Sequence, residues 1–551
     1  MATYQASHAR AGSDTDRQSS TVASKAVSDR LQGLEPRIRK ILEITGIPGC
    51  SIGVIHRGVE VWKFNCGFRD VENKLPPRSD TAFNLNSLTK GITAAAFACL
   101  VHDGKITWET PIHSIIPEFA QGCDEMDQSI TPIDLLSMRT GHHSLNCMAW
   151  QGGNIVLPDR KDTIEFWNAT PRLGAFRSYF SYNNWGYGIT ALIIEKLSQQ
   201  PFHEFLKERI FDPLNLKRTK MEDGIPLDNS AVSYAMQDNR SPVRVPDPTI
   251  GVGIFTQGGS GVLSTIDDML VLYYQYLVAI NDQFRSKVKS TANNPFVECT
   301  TVVAPHNNLA NVDYVFREQS YGCGWIRCQL PGPLGMIGMN ADFMDVPEVL
   351  EGGPSHLCLY HMGMMVGSTS NIALVPETET VVAILANASP LGDGADWISQ
   401  MIMEAIFHPP TKHNYERLAE EMALKVLDHI PSIGRELEQK RVPGTQPSFS
   451  PKTYTGTFKH DKTPFKIDVR RNGEQDSLAL TFNGHEAETY PLRHYQNDTF
   501  SWWIPFNDAS RRGRFLMYYV PDTFLIHFEG RDRFTWLSGD IVKEPYVFDR
   551  V

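Results

Sequence analysis

The 551-residue chain lacks most of the features that mark the common catalytic and compartmental classes. Its longest nearly apolar run, residues 92–101, falls far short of the ~20 residues a membrane-spanning helix needs. The first 27 residues are rich in Ser, Thr and Ala and have no apolar core segment. They are expected to form a disordered tail and not a signal peptide. Nine cysteines and seventeen histidines include no C-x-x-C, H-x-H or H-E-x-x-H, so the usual zinc spacings are missing and neither metal nor cofactor is expected. There is no P-loop and no G-x-G-x-x-G. Gly251-Val252-Gly253 runs on into Ile254, Phe255 and Thr256, which suits a strand or loop and not a phosphate cradle. G-x-S-x-G is absent, which excludes the strained nucleophile elbow of an α/β-hydrolase. The formal charge is −11, from 52 basic and 63 acidic residues with no basic run, so nucleic acid is not an expected partner. An odd number of cysteines in mostly apolar contexts suits a reduced, cytoplasmic protein.

What is present begins at Ser87-Leu88-Thr89-Lys90. The apolar run 88–101 predicts a buried helix, stopped by His102-Asp103-Gly104. Residues three apart share a helical face, so the Ser87 hydroxyl and the Lys90 amine should converge. A lysine among apolar neighbours loses hydration of its charged form, its pKa falls, and it can act as a base. Backbone N–H groups at the start of the helix could stabilise an oxyanion. The same spacing recurs at Ser286-Lys287-Val288-Lys289, in a charged segment that cannot desolvate a lysine.

Two downstream triplets join it. Tyr182-Asn183-Asn184 precedes the apolar helical stretch 187–197, and His361-Met362-Gly363 precedes two apolar strand-like runs, 370–375 and 380–385, joined at Pro376-Glu377-Thr378. A further Y-x-N, Tyr495-Gln496-Asn497, has no such setting. In the order S-x-x-K, Y-x-N, H-x-G, over roughly residues 34–407, the chain resembles the serine β-lactamase-like superfamily of class C β-lactamases, DD-peptidases, D-aminopeptidases, esterases and acyltransferases. Gly46-Ile47-Pro48-Gly49, the segment Thr131 to His142, Gly258 to Thr265 with Asp267-Asp268-Met269, and Tyr321-Gly322-Cys323-Gly324-Trp325 fit the flanking pattern.

The resemblance implies an α/β fold of the α+β type, an antiparallel sheet flanked by helices with a helical lobe. It also implies the roles. Ser87 would attack a carbonyl and become acylated. Lys90 and Tyr182 would share the proton transfers, with the formal base open between them. Asn184 would orient Lys90 and the substrate. The N–H groups of Ser87 and of Met364, next to Gly363, would hold the oxyanion. Where β-lactamases of the family carry Lys or Arg, this chain has His361, which is mostly neutral at neutral pH and would offer a substrate one hydrogen bond instead of a cation. Met362 and Met364 suggest an adaptable apolar pocket.

The rhythm changes towards the C-terminus. Residues 415–430 predict an amphipathic helix with Leu418, Met422, Val426 and Ile430 on one stripe, and 431–451 are rich in Pro, Ser and Gly, as in a linker. Strands are expected at 466–470, 477–482, 499–504, 514–520 and 523–529. About eight short strands suggest a small antiparallel barrel or sandwich, similar in pattern to the lipocalin-like domains attached to some superfamily members. Its Trp502, Trp503, Tyr518 and Tyr519 read as packing residues. The expected organisation is therefore a tail (1–27), a serine hydrolase domain (28–430), a linker (431–451) and a β-barrel-like domain (452–551). The expected function is hydrolysis of an ester, lactone, thioester or small amide with a hydrophobic acyl part, through a Ser87 acyl-enzyme. Acyl transfer to an alcohol or amine is the alternative, and a β-lactamase or a non-catalytic binding protein ranks behind both. The expected partner is a small acyl substrate, with oligomeric state left open.

Overall fold

The structure is a computed structural model that describes residues 24–149, 155, 157–221, 228–249, 251–309, 317–473, 477–515, 519–537 and 545–551. Residues 24–32 are helical and bury Val27 and Leu31 in the core, so folded structure begins inside the predicted tail. The rest of that tail lies outside the described residues.

One large sheet organises the first 400 residues or so. Its strands are β1 (Gly49–His56), β2 (Val59–Gly67), β3 (Asn307–Asn308), β4 (Gln319–Tyr321), β5 (Ile326–Leu330), β6 (His356–Met365), β7 (Ser368–Val375) and β8 (Thr380–Ala386). They lie in the order β2-β1-β8-β7-β6-β5-β4-β3, with every neighbouring pair antiparallel. A two-residue turn closes the β1–β2 hairpin. Arg57 and Gly58 both have positive φ, the turn whose twist matches that of the flanking strands.

The principal helices are α1 (Glu35–Thr45), α2 (Thr89–His102), α3 (Asn184–Ser198), α4 (Ile266–Ser286), α5 (Gly394–Phe407) and α6 (Tyr415–Lys440). α5 packs on β7 and β8, and α4 packs on β1 and β8. Every residue of β1, β7 and β8 is buried, as expected of strands covered on both faces. The long excursion between β2 and β3 carries the helical lobe, and with it both the S-x-x-K and the Y-x-N segments. The sequence foresaw α2, α3, β7 and β8 to within a few residues. β6 was not foreseen, and it places His361 inside a ten-residue strand.

α6 corrects the expected linker. It does not stop at Pro431 but runs on to Lys440. A proline inside a helix costs about 3 kcal/mol. Here the continuation buries Ile433 and Leu437, seats Gly434 against the Trp503 indole, and offers the Leu437 carbonyl to Tyr495 Oη at 2.6 Å. These contacts with the C-terminal region offset the break.

Those strands are β9 (Gly456–His460), β10 (Lys466–Asn472), β11 (Ser477–Phe482), β12 (Thr489–Gln496), β13 (Thr499–Ser501), β14 (Leu525–Phe528), β15 (Arg533–Trp536) and β16 (Tyr546–Arg550). Each pairs with the next, and β9 pairs antiparallel with β16, so the barrel is closed. Phe458, Phe482, Tyr490, Trp502, Phe528, Phe534, Trp536 and Phe548 are buried in mutual ring contact. Two expected strands differ. That at 499–504 ends at Ser501 and leads into a short helix, Phe506–Arg511. That at 514–520 has non-strand ends, and its middle, with Tyr518, lies outside the described residues.

Candidate active site

Ser87 stands half-buried in a short 3-10 turn, Asn86–Leu88, just ahead of α2 and not in its first turn. The turn is fixed from outside. Leu85 N–H donates to the Val262 carbonyl at 2.9 Å, and the Leu85 carbonyl accepts from Ser370 Oγ at 2.8 Å. Asn86 takes a left-handed φ of 51°, which asparagine tolerates better than most residues. Its buried amide donates to Ser368 Oγ at 3.0 Å and to the Ser368 carbonyl at 3.2 Å. The nucleophile candidate is thus bolted to β7.

Lys90 is fully buried, and its Nζ lies 3.0 Å from Ser87 Oγ and 3.0 Å from the Gly259 carbonyl oxygen. Burial pushes the amine well below its ordinary pKa, and no carboxylate counteracts it. A neutral amine can donate to the Gly259 carbonyl while its lone pair accepts the Ser87 O–H. Tyr182 is half-buried, with its ring centroid 5.0 Å from Nζ, and the Tyr187 ring lies at 5.4 Å. Asn184 opens α3, capped by the side chain of Asn183, which accepts from Trp185 N–H at 2.9 Å. A Cβ placed on Gly259 would sit 3.3 Å from Lys90 Nζ and 3.4 Å from Asn184 Oδ1. The lysine and the asparagine therefore converge there.

β6 forms the opposite wall. Its pairing with β5 ends at Tyr360, while its pairing with β7 continues to Met365. Among the described residues, its edge from His361 onward has no strand partner on the β5 side. A side chain on Gly363 would meet the Leu85 carbonyl at 2.5 Å, so only glycine lets this edge approach the nucleophile turn. Gly324 works similarly behind α2. Its φ is +76°, and a Cβ there would lie 2.7 Å from the Lys90 carbonyl. Met364 is half-buried beside Gly363.

His361 differs from expectation. It is buried, with Nδ1 2.6 Å from the Met362 carbonyl and Nε2 3.0 Å from Tyr321 Oη. A carbonyl only accepts, so Nδ1 carries the proton and the bare Nε2 accepts from the Tyr321 hydroxyl. Both ring nitrogens are committed within the protein, and neither is left to donate to a substrate. Burial lowers the imidazole pKa to about 3. The ring is neutral across the physiological range.

This geometry can be set beside known proteins. The family model "Beta-lactamase" matches residues 34–401. The chain belongs to the beta-lactamase family. A second family model, a domain of unknown function (DUF3471), matches residues 440–534 of this beta-lactamase-family chain. Serine beta-lactamase-like protein LACTB, mitochondrial, from Homo sapiens is 21% identical over 66% of this chain and 80% of its own length. Protein flp of Staphylococcus aureus (strain MW2) is 21% identical over 66% of this chain and 64% of its own. The octameric penicillin-binding protein homologue from Pyrococcus abyssi superposes with a TM-score of 0.55 at 20% identity, covering 98% of this chain and 100% of that one. That likeness extends the shared fold through the barrel.

The fold of this beta-lactamase-family member gathers Ser87, Lys90, Tyr182 and Asn184, sets the His361 ring 6.3 Å from that of Tyr182, and lays Gly363 against the turn that carries Ser87, with Met364 next on the same strand. Sequence reasoning missed three of their supports. Asn86 and Ser368 clamp the nucleophile turn, the Gly259 carbonyl receives Lys90, and Tyr321 holds His361. Gly259 and Tyr321 lay in segments matching the family pattern, whereas nothing local marks the Asn86–Ser368 pair. Among the described residues no cluster of three or more metal-ligating side chains occurs, and no helix is long and apolar enough to cross a membrane.

Proposed function

We propose that this chain is a serine hydrolase that works through a Ser87 acyl-enzyme on an ester, lactone, thioester or small amide with a hydrophobic acyl part. The observation that carries the reading is the buried, carboxylate-free Lys90 amine 3.0 Å from Ser87 Oγ. As Oγ attacks the substrate carbonyl, its proton passes to the Lys90–Tyr182 pair, and the same pair returns a proton to the leaving group. The developing oxyanion is assigned to the N–H groups of Ser87 and Met364, the latter on the strand-free edge of β6. Asn184 orients Lys90 and the substrate. The neutral, enclosed His361 supports uncharged acyl groups over β-lactams, because the third motif holds no cation for a carboxylate.

The test is intact-mass measurement after mixing the protein with a panel of activated esters and thioesters, with and without alcohol or amine acceptors. The expected result is one acyl adduct per chain, absent from Ser87→Ala, with hydrophobic esters turned over far faster than nitrocefin. Product formed on the acceptors would make the chain an acyltransferase. Undiminished turnover by Ser87→Ala would overturn the reading.

A further inference from the structure

The side chains that alternate with Tyr182 and Asn184 all grip one loop. Ser181 Oγ donates to the His142 carbonyl at 2.7 Å, Asn183 Nδ2 to the His143 carbonyl at 3.0 Å, and Trp185 Nε1 to the Ser144 carbonyl at 2.8 Å. Asn183 is extended, and neighbours in extended backbone point to opposite sides. Holding 181 and 183 on the loop therefore turns Tyr182 towards Lys90. Three successive carbonyls act as a rack for the Y-x-N segment.

The barrel meets this rack from behind. Tyr546, the first residue of β16, is buried, with Oη 3.4 Å from His143 Nδ1. Leu145 N–H donates to that same nitrogen at 3.2 Å. Nδ1 is thus a bare acceptor, and the Tyr546 hydroxyl is the donor. The Tyr546 ring stands edge-on to His460 at 5.5 Å, and His460 is itself held by Thr463 Oγ1 at 2.9 Å. A second tie lies further along the same segment. Asn483 of the barrel donates to the Leu157 carbonyl at 2.7 Å, and Leu157 N–H donates to the Ala149 carbonyl at 3.1 Å.

We propose that Tyr546 is a positioning residue, through which the C-terminal barrel holds the His142–His143–Ser144 carbonyls and thereby sets Tyr182 and Asn184 against Lys90. The barrel is then part of the catalytic unit and not an appendage. This inference rests on the reading of Tyr182 as a catalytic group.

The test uses the full chain and a chromogenic ester, comparing Tyr546→Phe, His143→Asn, His143→Phe and the Tyr546→Phe/His143→Phe double variant, with Ser87→Ala and Tyr182→Phe alongside. Tyr546→Phe should lower kcat about tenfold with KM within about twofold, since small misplacements of a reacting group act on the chemical step. His143→Asn keeps an acceptor where Nδ1 stands and should stay within about threefold of the wild type. His143→Phe should be as slow as Tyr546→Phe, and the double variant no slower than either, as for groups acting as a unit. Wild-type kcat in Tyr546→Phe overturns the inference. So does a His143→Asn variant as slow as His143→Phe, and that pair decides the matter if Tyr546→Phe does not fold. If Ser87→Ala is inactive and Tyr182→Phe slow while Tyr546→Phe is normal, only the barrel's role fails. An active Ser87→Ala removes the underlying reading instead.

Discussion

The beta-lactamase-family domain and the barrel each bury a basic side chain completely, and they treat it in opposite ways. Lys90 has a hydroxyl, a carbonyl and two aromatic rings for company but no carboxylate, so burial pulls its pKa well below the ordinary lysine value. Arg514, inside the barrel, lies 3.4 Å from the Glu488 carboxylate and donates Nε to Tyr519 Oη at 2.8 Å and Nη1 to Tyr490 Oη. Its guanidinium also lies 4.8 Å from the Trp502 ring. Burial pulls its pKa down, but Tyr490, Tyr519 and Glu488 push it up further, so the cation is retained. The difference teaches how burial divides its uses. A buried base with no counter-ion becomes a proton acceptor, whereas one surrounded by acceptors becomes a fixed strut.

Substitutions that exchange the two treatments should separate chemistry from stability. The largest effect is expected for Lys90→Arg. A guanidinium cannot lose its proton here, so acylation by a chromogenic ester should fall by about 10³-fold, within the range for removal of general-base help. Lys90→Ala and Tyr182→Phe should fall similarly, and the Lys90→Ala/Tyr182→Phe double variant should be little worse than either. Cleanly multiplying losses would mean that the two groups do not share a task.

Next comes Glu488→Gln, which strands the Arg514 charge. Its expected cost is about 3 kcal/mol of unfolding free energy, read by urea titration. Arg514→Lys keeps the charge but loses the planar fork that reaches Tyr519, Tyr490 and Glu488 together. A loss of about 1–2 kcal/mol is expected. If either barrel variant were fully stable, Arg514 would not be a strut.

The most gradual effect, spread over several pH units and read without any substitution, concerns His361. Its pKa is about 3 when folded against an ordinary ~6.5. The unfolded chain therefore binds more protons between those values, and stability rises with pH across that window. The contribution is complete above about pH 6.5 and is lost as pH falls towards 3. Nitrogen-15 NMR at pH 5.5 should show a neutral ring protonated at Nδ1, and Tyr321→Phe should shift that signal. A cationic ring at pH 5.5 would contradict the assigned environment.

How much of this was legible beforehand follows from the range of each interaction. Ser87 and Lys90 are three residues apart, so helical spacing alone brings them together. β7 and β8 are continuous apolar runs around a proline turn, and both were readable. β6 was not, because HLCLYHMGMM is buried on both faces and shows no alternation. Pro431 argued for a helix end, and only contacts with Trp503 and Tyr495 overrode it. The hydrogen bond between Tyr321 and His361, and the clamp between Asn86 and Ser368, join distant segments and leave no local trace. The barrel was legible as a rhythm of short strands, yet β12, with Pro491, Arg493 and His494 among its residues, was hidden by its composition.

The order of strands in the large sheet also sets a schedule for assembly. β1 sits between β2 and β8, with Cys50 opposite Ala386 and Val54 opposite Val382, so the first hairpin must wait for one of the last strands. Pairings so far apart in the chain are slow to form, and they leave apolar edges open meanwhile. During synthesis the helical lobe emerges complete with Ser87 and Lys90, while Ser368 and Ser370, which lock the nucleophile turn, come later. The proposed reactivity thus arrives last, when the sheet closes, and a nascent or truncated chain carries the serine without the frame that would arm it.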